Sequence, residues 1–256
     1  MTTALITGTT AGIGAAFARR LAADGHNLVL VARNTQRLEE QASELSKRHG
    51  IRAEVLTADL SADDGIAAVE ARLSDREKPV DILVNNAGFG NKGQFPDVPM
   101  TDELKMIKVH CEAVLRLTST AVEGMRERRR GAVVNVASIA AFVPGTYGAS
   151  KAWVVQFTQG AAKDMAGSGV RLLALCPGYV QTEFHERAGM GADVIPPKWL
   201  WLDADRLVST ALTDLARGKS LSIPDLRYKV MMGIVKLTPN RLLAGTSRTG
   251  RRPGSR

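Results

Sequence analysis

Residues 3–25, "TALITGTTAGIGAAFARRLAADG", join a short apolar run to a segment of helical period through a turn that holds Gly8, Gly12 and Gly14. Glycines placed between two ordered elements leave the backbone bare, so that it can approach a pyrophosphate while the helix N-terminus faces the charge. The spacing is Gly-x-x-x-Gly-x-Gly, which differs from the plain Gly-x-Gly-x-x-Gly dinucleotide fingerprint. A tight turn with no ligand fits the same letters, so the surrounding chain has to decide.

Outward from this turn, β-branched and apolar runs recur as "NLVLVA", "RAEVLTA", "VDILVNN", "GAVVNVAS", "VRLLALCPG" and "KSLSI". Between them lie helix-patterned stretches, among them residues 35–50, 62–75, 101–129 and 146–165. Strands that are apolar throughout and alternate with helices predict a parallel sheet covered on both faces. The expected fold class is therefore α/β: a doubly wound, mainly seven-stranded parallel sheet of Rossmann type.

The 256 residues, 45% of them hydrophobic, suffice for one large core. One domain over residues 1–245 is expected, followed by a basic, disordered tail at 246–256. The formal net charge of +8 is uneven: residues 217–256 hold ten Lys and Arg against Asp225 alone, which leaves −1 for the first 216. A folded body without basic excess gives no support to nucleic-acid binding. Two cysteines, Cys111 and Cys176, are too few for a disulfide framework, and no apolar run reaches membrane-spanning length. A cytoplasmic protein is expected, with no metal.

"TGTTAGIG", "NNAG" at Asn85–Gly88, "YGASK" at Tyr147–Lys151 and "PG" at Pro177–Gly178 stand in an order that resembles the short-chain dehydrogenase/reductase family over about residues 3–225. The resemblance implies a nicotinamide cofactor and hydride transfer between an alcohol and a carbonyl. It also implies a cofactor site built from Gly8, Thr9, Thr10, Gly12, Ile13 and Gly14. Asp59 and Leu60 follow the third strand in that site, with Asp59 at the adenine. Asn86, Ala87 and Gly88 bring backbone close, and Pro177, Gly178, Val180 and Thr182 stand at the nicotinamide.

The second strand ends at Ala32 and is followed by Arg33, where an NAD-selective site usually places a carboxylate. Arg33 and Arg37 suit a 2′-phosphate through charge-assisted hydrogen bonds, so NADP(H) is expected over NAD(H).

Tyr147 and Lys151 lie four residues apart on a helical segment and so share one face. An ammonium beside a phenol favours the phenolate and lowers a pKa that starts near 10, which suits Tyr147 to act as acid in reduction and base in oxidation. By resemblance Lys151 also holds the nicotinamide ribose, and Ser138, at the end of "GAVVNVAS", holds the substrate oxygen. Two departures stand out. The Ser138–Tyr147 interval is shorter than the family's usual one, and His110 occupies a position where the family often has asparagine. A proton relay through His110 and a satisfied core histidine both fit.

Residues 183–203 are expected to form a substrate cover. Phe184, Met190, Ile195, Trp199, Leu200 and Trp201 suggest a small apolar carbonyl or alcohol substrate, although the same residues also suit plain packing. "YKVMMGIVKLTPNRLL" carries apolar Val230, Met231, Ile234 and Val235 with Lys229 and Lys236 at helical spacing. Peripheral contact with an anionic membrane, a lid, a subunit contact and packing on the same molecule all fit that stripe. The resemblance implies a homodimer or homotetramer. A catalytically silent NADP(H)-binding sensor or scaffold is the second functional reading, since the fold alone does not grant activity.

Overall fold

The computed structural model describes residues 1–93, 95–180 and 197–237. Thr182, Phe184, Met190, Ile195, most of the expected cover and the tail at 246–256 lie outside the described residues. All seven expected strands form: β1 (Thr3–Thr7), β2 (Asn27–Ala32), β3 (Ala53–Thr57), β4 (Ile82–Asn85), β5 (Gly131–Val136), β6 (Val170–Leu175) and β7 (Leu221–Ser222). They make one sheet in the order β3-β2-β1-β4-β5-β6-β7, and every neighbouring pair is parallel.

Period-2 alternation explains why the strands are apolar from end to end. Ile6, Leu30, Val84, Val134 and Leu173 face one helical layer, whereas Leu5, Val31, Leu83, Val133 and Leu172 face the other. The first layer contains α1 (Gly12–Ala23), α2 (Thr35–His49), α7 (Ala204–Ala216) and α8 (Leu226–Leu237). The second contains α3 (Asp63–Leu73), α4 (Met100–Ile107), α5 (Ala113–Glu127) and α6 (Thr146–Asp164). None of the helices among the described residues is long and apolar enough to cross a membrane.

The stretch expected as one long helix over 101–129 departs from that expectation. A π turn at Lys108–Glu112 separates α4 from α5, with the Ala113 N–H reaching back five residues to the Lys108 carbonyl. His110 lies in this widened turn and is fully buried.

One polar chain threads the second layer. Asn85 and Asn135 stand opposite each other in the β4–β5 register, and the Asn85 amide donates to Asn135 Oδ1 at 2.8 Å and to Thr118 Oγ1 at 3.1 Å. Asn135 Nδ2 donates onward to Thr158 Oγ1 at 3.0 Å, so α5 and α6 are both tied to the sheet centre. The order in which successive strands are laid down reverses between β1 and β4, and in open parallel sheets a ligand crevice forms outside the strand ends at such a switch point.

Candidate active site

A cavity of about 1260 Å³ opens at the carboxyl ends of β1, β4, β5 and β6. The turn after β1 forms its floor because two glycines are required there. Gly8 has φ +70°, and a Cβ on Gly14 would lie 2.2 Å from the Gly8 carbonyl oxygen. Thr7 Oγ1 accepts the Asn86 and Ala87 N–H groups at 2.9 and 3.0 Å, while Asn86 Nδ2 donates to the Thr7 and Gly8 carbonyls. The "NNAG" segment is thereby fastened to the glycine turn.

Thr10, Gly12 and Ile13 line the cavity beside Asn86, Ala87 and Gly88. Gly14 packs beneath the turn and does not line the cavity. Thr9 is fully buried behind it, and its carbonyl accepts the Gln41 side-chain amide at 3.0 Å. Only Thr10 of the two threonines therefore lines the cavity.

Arg33 and Arg37 stand exposed on the adjoining wall, at the start of α2. Asn34 caps that helix by accepting the Arg37 N–H at 2.9 Å, which fixes the chain direction between the two guanidiniums. Asp59 and Leu60 complete this end. Burial pushes the Asp59 carboxyl up, but hydrogen bonds from the Ser61 N–H and hydroxyl and the charges of Arg33 and Lys105 outweigh it, so the group is held below its ordinary value.

At the far end the expected trio meets. The Tyr147 hydroxyl is hydrogen-bonded to the Ser138 side chain, and Ser138 Oγ also accepts the Ala140 N–H at 3.1 Å. Lys151 is buried, its Nζ donating to the Val136 carbonyl at 3.0 Å and lying 5.9 Å from the Tyr147 ring centroid. Despite the shortened interval, a 3-10 turn at Ile139–Phe142 returns the chain so that the serine reaches the tyrosine. The pKa expectation is overturned in the free protein. Burial pushes Tyr147 up to about 12 against the Ser138 hydrogen bond, and burial pulls Lys151 down to about 8 against the Cys111 and Cys176 thiols. Desolvation decides the direction at both groups, and the phenol is held as an acid.

His110 lies just behind this trio. Its Nε2 accepts the Phe89 N–H at 3.2 Å, and its Nδ1 meets Ser150 Oγ at 2.9 Å. The Ser150 hydroxyl donates to the Tyr147 carbonyl at 2.8 Å, so Nδ1 is the donor and the imidazole is neutral. Burial, reinforced by the Lys151 charge, pushes its pKa well below the ordinary value. Its ring meets the Tyr147 ring edge-on at 5.5 Å. Both nitrogens are thus engaged, and a relay would have to break one of these bonds.

Pro177, Gly178 and Val180 line the cavity on the β6 side, together with Tyr179. Sequence reasoning passed over Phe89, Ser150 and Tyr179. Ser150 lay inside the quoted "YGASK", whereas nothing in the letters around Phe89 marks a backbone N–H aimed at a histidine.

A glycine-floored crevice at a switch point, with a serine, tyrosine and buried lysine at one end, defines a dinucleotide-dependent oxidoreductase that acts on an alcohol/carbonyl pair. The family model for short chain dehydrogenase matches residues 2–191, and the chain belongs to the short-chain dehydrogenase/reductase family. A serine 3-dehydrogenase from Agrobacterium fabrum is 36% identical over 188 residues, covering 71% of this chain and 73% of the relative. A short-chain dehydrogenase from Sphingobium yanoikuyae, solved in complex with NADPH, superposes with a TM-score of 0.83 at 32% identity, over 100% of this chain and 98% of its own. The bulky-bulky ketone specific alcohol dehydrogenase from Comamonas testosteroni gives 0.80 at 29% identity, over 100% and 97%.

Proposed function

We propose that this enzyme prefers NADP(H) and interconverts an apolar ketone and its hydroxy compound. The observation that carries the chemistry is the Ser138–Tyr147 hydrogen bond with the Lys151 ammonium buried behind it. A nicotinamide dinucleotide supplies or accepts the hydride. The backbone of Gly8, Thr10, Ala11 and Gly12 at the N-terminus of α1 fits its pyrophosphate, with Gly14 letting the helix start close under the Gly8 carbonyl, and Arg33 and Arg37 fit a 2′-phosphate. Pro177, Gly178 and Val180 fit the nicotinamide end, and Thr182 is assigned there on the motif alone.

Tyr147 Oη donates its proton to the carbonyl oxygen in reduction, and Ser138 Oγ orients that oxygen. Lys151 supplies positive charge beside the phenol as negative charge builds on it. His110 acts as a positioning residue, holding the Phe89 backbone on one side and the first turn of α6, through Ser150, on the other. Phe89, Ile139, Ala140 and Val143 make the wall nearest the trio apolar, which supports an apolar substrate. The NADPH complex of the Sphingobium relative and the bulky-ketone specificity in the Comamonas protein's name point the same way. The Agrobacterium relative, named for serine, makes small polar substrates the competing class.

A homodimer or homotetramer fits the exposed apolar series Met100, Leu104, Ile107 and Leu115 along α4 and α5. The cytoplasm fits two free cysteines. The test is NADPH oxidation, followed by absorbance, against apolar ketones and small polar carbonyls, with Tyr147→Phe alongside. Turnover of the apolar set that falls by about 10²–10⁴ in the variant while NADPH still binds is expected. Tight binding without turnover favours the sensor, and a preference for small polar carbonyls overturns the substrate class.

A further inference from the structure

Helix α8 lies beyond the last strand and none of its described side chains lines the cavity, yet it carries Tyr228, whose side chain is fully buried. The ring lies against Gly178, where a Cβ would sit 2.1 Å from Tyr228 Cζ, so glycine is required at the point where the chain leaves β6. The hydroxyl accepts the Tyr179 N–H at 3.0 Å and donates to the Leu200 carbonyl at 2.6 Å. These two partners belong to the two stretches of chain that border residues 181–196.

The two stretches also hold each other. Val180 and Leu202 form a parallel bridge, and the Leu202 N–H donates to the Tyr179 carbonyl at 2.8 Å. Next to Tyr228, the Arg227 guanidinium donates to the Trp199 carbonyl on the same returning stretch while paired with Asp225 at 2.7 Å. Helix α8 further packs against the 3-10 turn that follows Ser138. One phenol therefore touches the backbone that lines the cavity at Gly178–Tyr179 and the backbone that returns at Leu200.

We propose that Tyr228 is a positioning residue of the active site: its ring and hydroxyl hold the Gly178–Val180 wall in place by joining it to the returning stretch at Leu200. The proposal rests on the reading of the cavity as a nucleotide and carbonyl site. A phenol hydroxyl has one proton to give and lone pairs to receive, so the single group satisfies one orphan donor and one orphan acceptor. Phenylalanine keeps the ring over Gly178 and leaves both backbone groups unmatched.

Tyr228→Phe, which removes both hydrogen bonds, is expected to speed exchange of the Tyr179 amide by about tenfold and to raise both the NADPH dissociation constant and KM for the carbonyl about fivefold, since only the bond to the Tyr179 N–H lies on the cavity wall. The kcat stays within about twofold, because Tyr228 touches none of the reacting groups. Arg227→Met, at an exposed position, removes a neighbouring contact to the same stretch and raises KM by a smaller factor, so the clamp is readable even if the phenylalanine variant folds poorly. A lowered unfolding midpoint in Tyr228→Phe, with Kd and KM unchanged in both variants, makes the residue merely structural and overturns the proposal. Failure of the unaltered protein to bind NADPH overturns the functional reading, and the proposal with it.

Discussion

Replacing Lys151 by methionine should make the protein more stable at neutral pH while removing its activity. The side chain is 4% exposed, and burial lowers its pKa from 10.5 to about 8. Below pH 8 the amine is charged in the folded and unfolded chains alike, and the folded chain bears the cost of the buried charge. Between pH 8 and 10.5 the unfolded chain holds a proton that the folded one has released, so stability of the unaltered protein rises with pH through this window. At 1.36 kcal/mol per pH unit the full rise is about 3.4 kcal/mol. Methionine escapes this cost but gives up the hydrogen bond to the Val136 carbonyl, about 1 kcal/mol. The expected net gain is about 2 kcal/mol at pH 7, shrinking to about zero at pH 10, and titration of Tyr147 cancels because both proteins retain it. Urea unfolding of nucleotide-free protein at the two pH values measures the difference. A Lys151→Met variant less stable at pH 7, or a gain equal at both pH values, would refute the argument that desolvation dominates at this lysine.

Arg33→Ala should weaken NADPH binding by about ten- to a hundredfold, the loss of a charge-assisted hydrogen bond, and leave NADH binding unchanged; titrations of both nucleotides decide, and equal losses would sink the 2′-phosphate assignment. Ketone reduction should hold level at neutral pH and fall as pH rises through about 8, where Lys151 loses its charge while Tyr147 remains protonated to about 12; a kcat/KM profile level to pH 10 would contradict this. Nitrogen NMR of His110 should show a neutral, Nδ1-protonated ring at pH 6.5, where an ordinary imidazole is half charged, since burial disfavours the charged form and its Nε2 is engaged by the Phe89 N–H, and a half-formed imidazolium at that pH would restore the relay.

The sheet was legible because its strands are apolar on both faces and are punctuated by Gly8, Gly25 and Gly50. The site was legible wherever one side chain carries the chemistry, as at Tyr147, Lys151 and Arg33. What stayed hidden depends on backbone placed by tertiary packing. The π turn leaves no mark in "MIKVHCEAVLRLT", whose apolar period reads as plain helix. The pairing of His110 with Phe89 joins residues twenty-one apart through a backbone N–H. Tyr147 was expected to be acidified by its lysine, but burial, which no spacing reports, reverses the shift. The stripe read on α8 was Val230, Met231, Ile234 and Val235. Val230 proves exposed while Met231 packs on the core, the side chains of Ile234 and Val235 lie outside the described residues, and Tyr228 takes the buried place.

The amide pair at Asn85 and Asn135 acts as a key for strand alignment. Side chains alternate between the two faces of a strand, so sliding β5 by one residue against β4 would turn Asn135 into the opposite apolar layer and leave amide and hydroxyl groups stranded, at about 1–3 kcal/mol each. Misaligned assemblies of the sheet centre would strand several of these groups, whereas the observed register leaves only Asn85 Oδ1 of the two amides without a partner among the described residues. Ser138 emerges three residues beyond Asn135 on the same strand end. The same alignment that seats the amide pair thus sets which residue of this strand end, Ser138 and not its neighbour, stands opposite Tyr147.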